Sequence, residues 1–255
     1  MALIDTLGTG VSALQSFTTG LDTVANDIAN ISTTAFKGAA TSFADTFSGA
    51  GVQVESTNTN FSQGSLTTTG VNTNLGISGN GFFIVQDPNS SAQYATRDGG
   101  FTFNSSGYLV NSQGYEVMGI NGGSAAPIRL SQSPPAALQS VTITSTGGVV
   151  ESYADGSQST TNQITLQNFT NPSLLSNQGG NLYGNMAGAG PLSSPVDPGS
   201  SGLGTVQAGT LEQSNVDLTQ EFADMITMQR AFEANARLLT VSDSVLEDIV
   251  NMKTH

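Results

Sequence analysis

Residues 215–255 read NVDLTQEFADMITMQRAFEANARLLTVSDSVLEDIVNMKTH. The stretch has no Gly and no Pro, in a chain that holds 30 Gly and 8 Pro. Leu218, Met225, Phe232, Leu239 and Leu246 recur at every seventh position, and Phe222, Ile226, Ala236, Ile249 and Val250 widen the stripe. This spacing predicts one continuous helix with an apolar side. Asp217 and Gln220 can form an N-terminal capping box, and Lys253 suits the negative end of the helix dipole. At about 1.5 Å per residue the helix is roughly 50 Å long, more than a compact domain of this size needs internally. A heptad sustained over that length asks for a partner helix.

The partner lies at the other end of the chain. Leu7, Leu14, Leu21 and Ile28 keep the same step, with Ile4, Val11 and Val24 between them. Gly8, Gly10 and Gly20 lower the intrinsic helicity of this segment but allow close approach of a second helix. Between the two ends the chain is Gly-, Ser-, Thr- and Asn-rich and strand-like. The fold class expected is α+β: a mainly antiparallel β body inserted between two long terminal helices that pair as a coiled coil. Packed only on each other, those helices would leave Phe17, Val24, Met228, Val241 and Val245 wet, which points to burial against neighbouring subunits.

Charged residues are only 10% of the 255 and the net charge is −13. The six basic residues, Lys37, Arg97, Arg129, Arg230, Arg237 and Lys253, form no run. Binding to a phosphate backbone is therefore not expected. With no Cys there is no disulfide, no Cys-based zinc site and no thiol catalysis. The opening Met-Ala-Leu-Ile-Asp lacks a basic segment, and Asp5, Gly8 and Gly10 break any apolar run, so no cleaved signal peptide is expected. No apolar run is long enough to span a bilayer, so no membrane insertion is expected.

Three parts follow from the pattern. Residues 1–32 with 215–255 form a terminal helical domain. Residues 33–74 with 184–214 form an extended connector, containing a short possible helix from Ser42 to Phe47. Residues 75–183 form an antiparallel β domain, with Phe82-Phe83-Ile84-Val85 as its first buried strand. Turn signals at Asp98-Gly99-Gly100, Ser106-Gly107, Gln113-Gly114, Asn121-Gly122-Gly123, Pro134-Pro135, Gly147-Gly148 and Asp155-Gly156 recur too often for crossover helices.

Features that could carry chemistry are weak. Gly8-Thr9-Gly10-Val11-Ser12-Ala13 resembles a dinucleotide fingerprint but lacks the strand that must precede it. His255, the last residue, is the single His, which removes histidine-based triads. Asp87, Asn89 and Ser91 read as a plain turn rather than a calcium loop, given Pro88 and the absence of a distal Glu. Arg97 with Asp98 reads as the closure of a hairpin. No catalytic, cofactor-binding or metal-binding residues are assigned, and the chain reads as a non-enzyme.

Four ordered stretches resemble signatures of the bacterial flagellar rod and hook family. The first runs from Leu21-Asp22-Thr23-Val24-Ala25-Asn26-Asp27-Ile28-Ala29-Asn30 to Thr33-Thr34-Ala35-Phe36-Lys37. The second is Gly79-Asn80-Gly81-Phe82-Phe83-Ile84-Val85. The third is Thr96-Arg97-Asp98-Gly99-Gly100-Phe101, followed by Gly107 to Asn111. The fourth is Gly209 to Leu218, which includes Asn215 and continues to Gln229-Arg230-Ala231-Phe232. Asp27 departs from the usual Asn and Ala35 from the usual Gly; the turn at Ala35 either avoids positive φ or tolerates strain.

The resemblance implies a structural subunit that polymerises into a helical tube, its terminal helices lining the channel. The implied partners are further copies of itself, other flagellar axial proteins (rod, hook–filament junction and hook cap) and the flagellar type III export apparatus. The end of the chain and the short connector look more hook-like, so the expectation is a short hook subunit that couples rod to filament. The alternative is a distal rod protein, and a surface adhesin or fibre is the rival class.

Overall fold

The computed structural model describes residues 2–46, 51–131, 134, 136–191, 196–200 and 202–253, and the side chains of these except 2–6, 161, 250 and 253. Phe47, Pro135 and His255 lie outside the described residues, as do the side chains of Ile4, Val250 and Lys253. Two compact units are formed, one of Met1–Ile31, Lys37–Asn60 and Val216–His255, the other of Ser32–Phe36 and Phe61–Asn215.

In the first unit, helices Ala2–Ala29 and Leu218–Lys253 run antiparallel. Small residues set their separation. A Cβ on Gly10 would lie 3.6 Å from Leu239 Cδ1, and one on Gly20 would lie 2.9 Å from Met228 Sδ. The buried stripe of the N-terminal helix is Gly10, Ala13, Ser16, Gly20, Val24 and Asp27, and the heptad residues Leu7, Leu14, Leu21 and Ile28 flank it half-buried. Asp217 caps the C-terminal helix by accepting from the amides of Thr219 at 2.8 Å and Gln220 at 3.4 Å. The Gln220 side chain turns forward to Asp224, at 3.0 Å, so the expected reciprocal half of the capping box is not made.

The short helix expected near Ser42 is instead a strand. Ala39–Asp45 pairs antiparallel with Val52–Thr59, and this hairpin packs on the N-terminal helix. Ser16 Oγ donates to the Val52 carbonyl at 2.9 Å, Thr41 Oγ1 meets Thr23 Oγ1 at 3.0 Å, and the Phe17 and Phe43 rings stand 5.6 Å apart. Phe17 and Val24, expected to face water, are thereby covered, and Met228 packs by Gly20. A helix face and a β-ribbon face bury each other here, which a helix–helix argument alone misses.

Among the described residues the second unit is a 12-stranded antiparallel sheet system with two smaller ladders. Its continuous path runs through Leu138–Ile143, Gly148–Tyr153, Gln158–Ile164, Glu116–Asn121, Phe82–Gln86, Gln93–Thr96, Leu182–Gly184 and Ser176–Asn177. The central strand Phe82–Gln86 is buried on both faces, which is why its sequence does not alternate. Phe83 and Val85 enter one core with Leu75, Ile77, Phe101 and Leu109. Phe82 and Ile84 enter a second with Phe169, Leu175 and Tyr183.

Parts of the expected connector form ladders. Leu66–Thr68 lies antiparallel to Thr210–Glu212 of the returning connector, and Thr205–Ala208 pairs with Leu75–Ser78 of the expected β domain. The Gly- and Ser-rich composition thus does not prevent ladder formation where the partner strand is brought close by the fold.

Candidate assembly surface and junction

Residues of all the family-like stretches meet inside the β unit at the place where the chain enters and leaves it. Glu212, fully buried, is the centre. Its backbone carbonyl accepts from Ala35 N–H at 2.8 Å, and its Oε1 accepts from Gly64 N–H at 2.8 Å. Its Oε2 faces Arg97 Nη1 at 3.4 Å, with the Arg97 side chain only 5% exposed. Arg97 also sits over the Phe82 ring, 5.1 Å from its centroid. Arg97 therefore does not close a hairpin, as its sequence neighbourhood suggested. It is the buried counter-ion of a residue 115 positions away. Burial pushes the Arg97 guanidinium below its ordinary pKa and Glu212 opposes the shift; a guanidinium starts so high that it stays charged. Burial, with Glu212 adding to it, pushes the Tyr183 phenol up to about 12.

The flanking contacts complete the junction. Asn215 Nδ2 donates to the Ser62 carbonyl at 3.1 Å, and Asn181 Nδ2 to the Thr34 carbonyl at 2.6 Å. Phe36 is buried beside them. Ala35 adopts φ +54, so of the two sequence alternatives the strained turn is the one realised. Ala35 is fully buried and its N–H is held by Glu212, so the surroundings over-determine the conformation.

Gly81, at φ +127, occupies a conformation open almost only to Gly. Gly99 is required for a different reason: a Cβ there would overlap the Leu75 carbonyl. Gly99→Ala is expected to cost the β unit about 1–3 kcal/mol, read as a lower urea midpoint in tyrosine fluorescence. Asp98 beside it accepts from Gly100 N–H at 3.0 Å. Its carboxyl is raised by burial, and the Gly100 amide partly opposes this. Phe83 packs edge-on to Phe101 at 5.2 Å.

In the helix unit, Asn30 Nδ2 donates to the Asn26 carbonyl at 2.9 Å and to Asn26 Oδ1 at 3.1 Å, closing the end of the N-terminal helix. Lys37 is buried. Met225, Phe232, Leu239 and Leu246 are half-buried, whereas Leu218 is exposed, as are Gln229 and Arg230. The C-terminal helix is apolar on two faces. Phe222, Ile226, Leu238, Val241, Val245 and Ile249 form an exposed stripe, with Ile226 at 50% and Val241 at 62%. Phe222, Ile226 and Ile249 therefore lie outside the packed seam that the heptad reading assigned them to. Sequence reasoning also passed over Glu212, whose signal needed the fold: a lone acidic residue inside an otherwise uncharged strand.

A β body closed by a buried ion-pair junction, together with a C-terminal helix bearing an exposed apolar stripe, defines a structural building block. The comparisons agree. Residues 7–37 match "Flagella basal body rod protein", 76–151 match "Flagellar hook protein FlgE/F/G D1 domain", and 207–252 match "Flagellar basal body rod FlgEFG protein C-terminal". The chain is 35% identical to the flagellar basal-body rod protein FlgG of Bacillus subtilis, over 98% of this chain and 100% of that protein. It is 32% identical to FlgG of Borreliella burgdorferi, over 97% and 98%. Against the flagellar hook protein FlgE of Helicobacter mustelae it is 39% identical, over 46% of this chain and 31% of that protein. The chain belongs to the flagellar rod and hook family, a structural family of the basal body and hook, and is not an enzyme. Among the described residues no helix is long and apolar enough to cross a membrane.

Proposed function

We propose that this chain is a distal rod subunit of the flagellar basal body rather than a short hook subunit. The supporting observation is the extent of likeness: rod proteins match end to end, the hook protein over less than half of the chain. The hook-like look of the chain's end does not decide between the two, because residues 207–252 match a C-terminal segment described for FlgE, FlgF and FlgG together. Many copies stack into a tube, with residues 1–32 and 215–255 as its helical core and the β domain outside. In that polymer the two terminal helices act as a coiled-coil pair through Leu7, Leu14, Leu21, Ile28, Met225, Phe232, Leu239 and Leu246. The exposed stripe from Phe222 to Ile249 is buried by neighbouring copies. Export proceeds through the flagellar type III apparatus, and neighbouring axial proteins meet the ends of the tube.

Electron microscopy of basal bodies from a strain deleted for this chain tests the assignment. The expected result is an incomplete rod with no hook. Complete rods that merely lack hooks would return the chain to the hook.

A further inference from the structure

Asp27 lies on the buried stripe of the N-terminal helix, 1% exposed, where that helix meets the hairpin and the C-terminal helix. Its Oδ2 accepts from Ala39 N–H at 2.8 Å. Its Oδ1 is buried and has no hydrogen-bond partner. Gly38 packs against the other oxygen: a Cβ there would lie 3.0 Å from Asp27 Oδ2 and 3.1 Å from Val216 Cγ2. A carboxylate oxygen without donor or solvent is costly while charged and much less so as a neutral acid.

We infer that Asp27 makes the helix unit proton-sensitive: the unit takes up a proton at this side chain as it forms, so acid favours the ordered helices and alkali opposes them. The titratable groups on the packed elements do not neutralise it. From the C-terminal helix comes Glu221, whose own carboxyl is raised by burial and then by Asp27, Asp224 and Asp217. From the segment entering the hairpin comes Lys37, which is not among the groups acting on Asp27.

Burial raises the Asp27 carboxyl above its ordinary 3.8, against the smaller opposing effect of the Ala39 amide. A raised acid contributes stability that is fully present below the ordinary value and is lost as pH rises through the raised one. Asp27→Asn has the same shape and cannot ionise. The full chain and this variant are compared by urea unfolding followed through helical circular dichroism, at pH 3 and from pH 5 to 8, on either side of the pI near 4.1. The variant is expected to match the native chain at pH 3. At pH 7 its folding equilibrium constant should be higher by roughly fivefold or more, the scale of one unsatisfied buried group. Equal midpoints across the range, or a native advantage that grows with pH, overturn the inference. Carbon NMR titration of the Asp27 carboxyl in the native chain decides independently of the variant. A midpoint above 3.8 supports the inference and one at or below it refutes it.

Discussion

Glu212→Ala is expected to destabilise the β unit by about 3–5 kcal/mol, the range for stranding one partner of a buried ion pair. The loss has two parts. Arg97 keeps its charge at 5% side-chain exposure with no counter-ion, and Gly64 N–H loses its acceptor. Removing both charges is different: Arg97→Met with Glu212→Leu should recover most of that loss, because Arg97 is no longer a buried charge without its counter-ion, while Gly64 N–H still lacks its acceptor. All five tyrosines fall in the β unit, so tyrosine fluorescence during urea unfolding reads this unit alone. Glu212→Ala with an unchanged midpoint would show that the pair is not what closes the junction.

Charge placed on the helix seam should abolish assembly. Phe232 and Leu239 are half-buried, and Leu239 packs over Gly10, so a carboxylate at either position is partly stripped of water. Phe232→Asp with Leu239→Asp removes two apolar contacts, each worth about 2–4 kcal/mol, and adds a desolvation cost. The outcome expected is loss of helical circular dichroism and no sedimentable polymer, with the tyrosine-reported midpoint of the β unit unchanged. Ile226→Asp with Val241→Asp provides the contrast. Those side chains are 50% and 62% exposed, so the helical signal should survive while the polymer is lost. Polymers from the second variant would mean that the exposed stripe is not a subunit contact.

Both terminal helices, the buried strand at Phe82 and the succession of hairpins were legible because each signal is local: a seven-residue step, an apolar run, a Gly-containing turn. The hairpin Ala39–Thr59 was not. Its strands carry Thr, Ser and Ala with few large apolar residues, and what holds them is the helix face beneath, at Ser16, Phe17 and Thr23. The Arg97–Glu212 pair escaped for a related reason, since neither residue's neighbours in sequence indicate a partner 115 positions away. The heptad was read correctly as a helix but over-read as one seam. A helix with two apolar faces keeps the same period on both, and only the packing shows which face is covered. Both departures from the family pattern, Asp27 and Ala35, fall at buried, tightly held positions.

The ladder between Leu66–Thr68 and Thr210–Glu212 has a mechanical consequence. Its strands are antiparallel, with Leu66 opposite Glu212 and Thr68 opposite Thr210, and the chain leads away from the Leu66–Glu212 end on both sides, toward Phe61 and toward Asn215. A pull on those two exits loads the ladder as a zip fastener, one rung at a time, instead of shearing all rungs together. The contacts loaded first are Asn215 to Ser62 and Gln213 N–H to the Ser65 carbonyl, and the next is the Leu66–Glu212 rung tied to Arg97, so tension reaches the buried ion pair before the rest of the ladder.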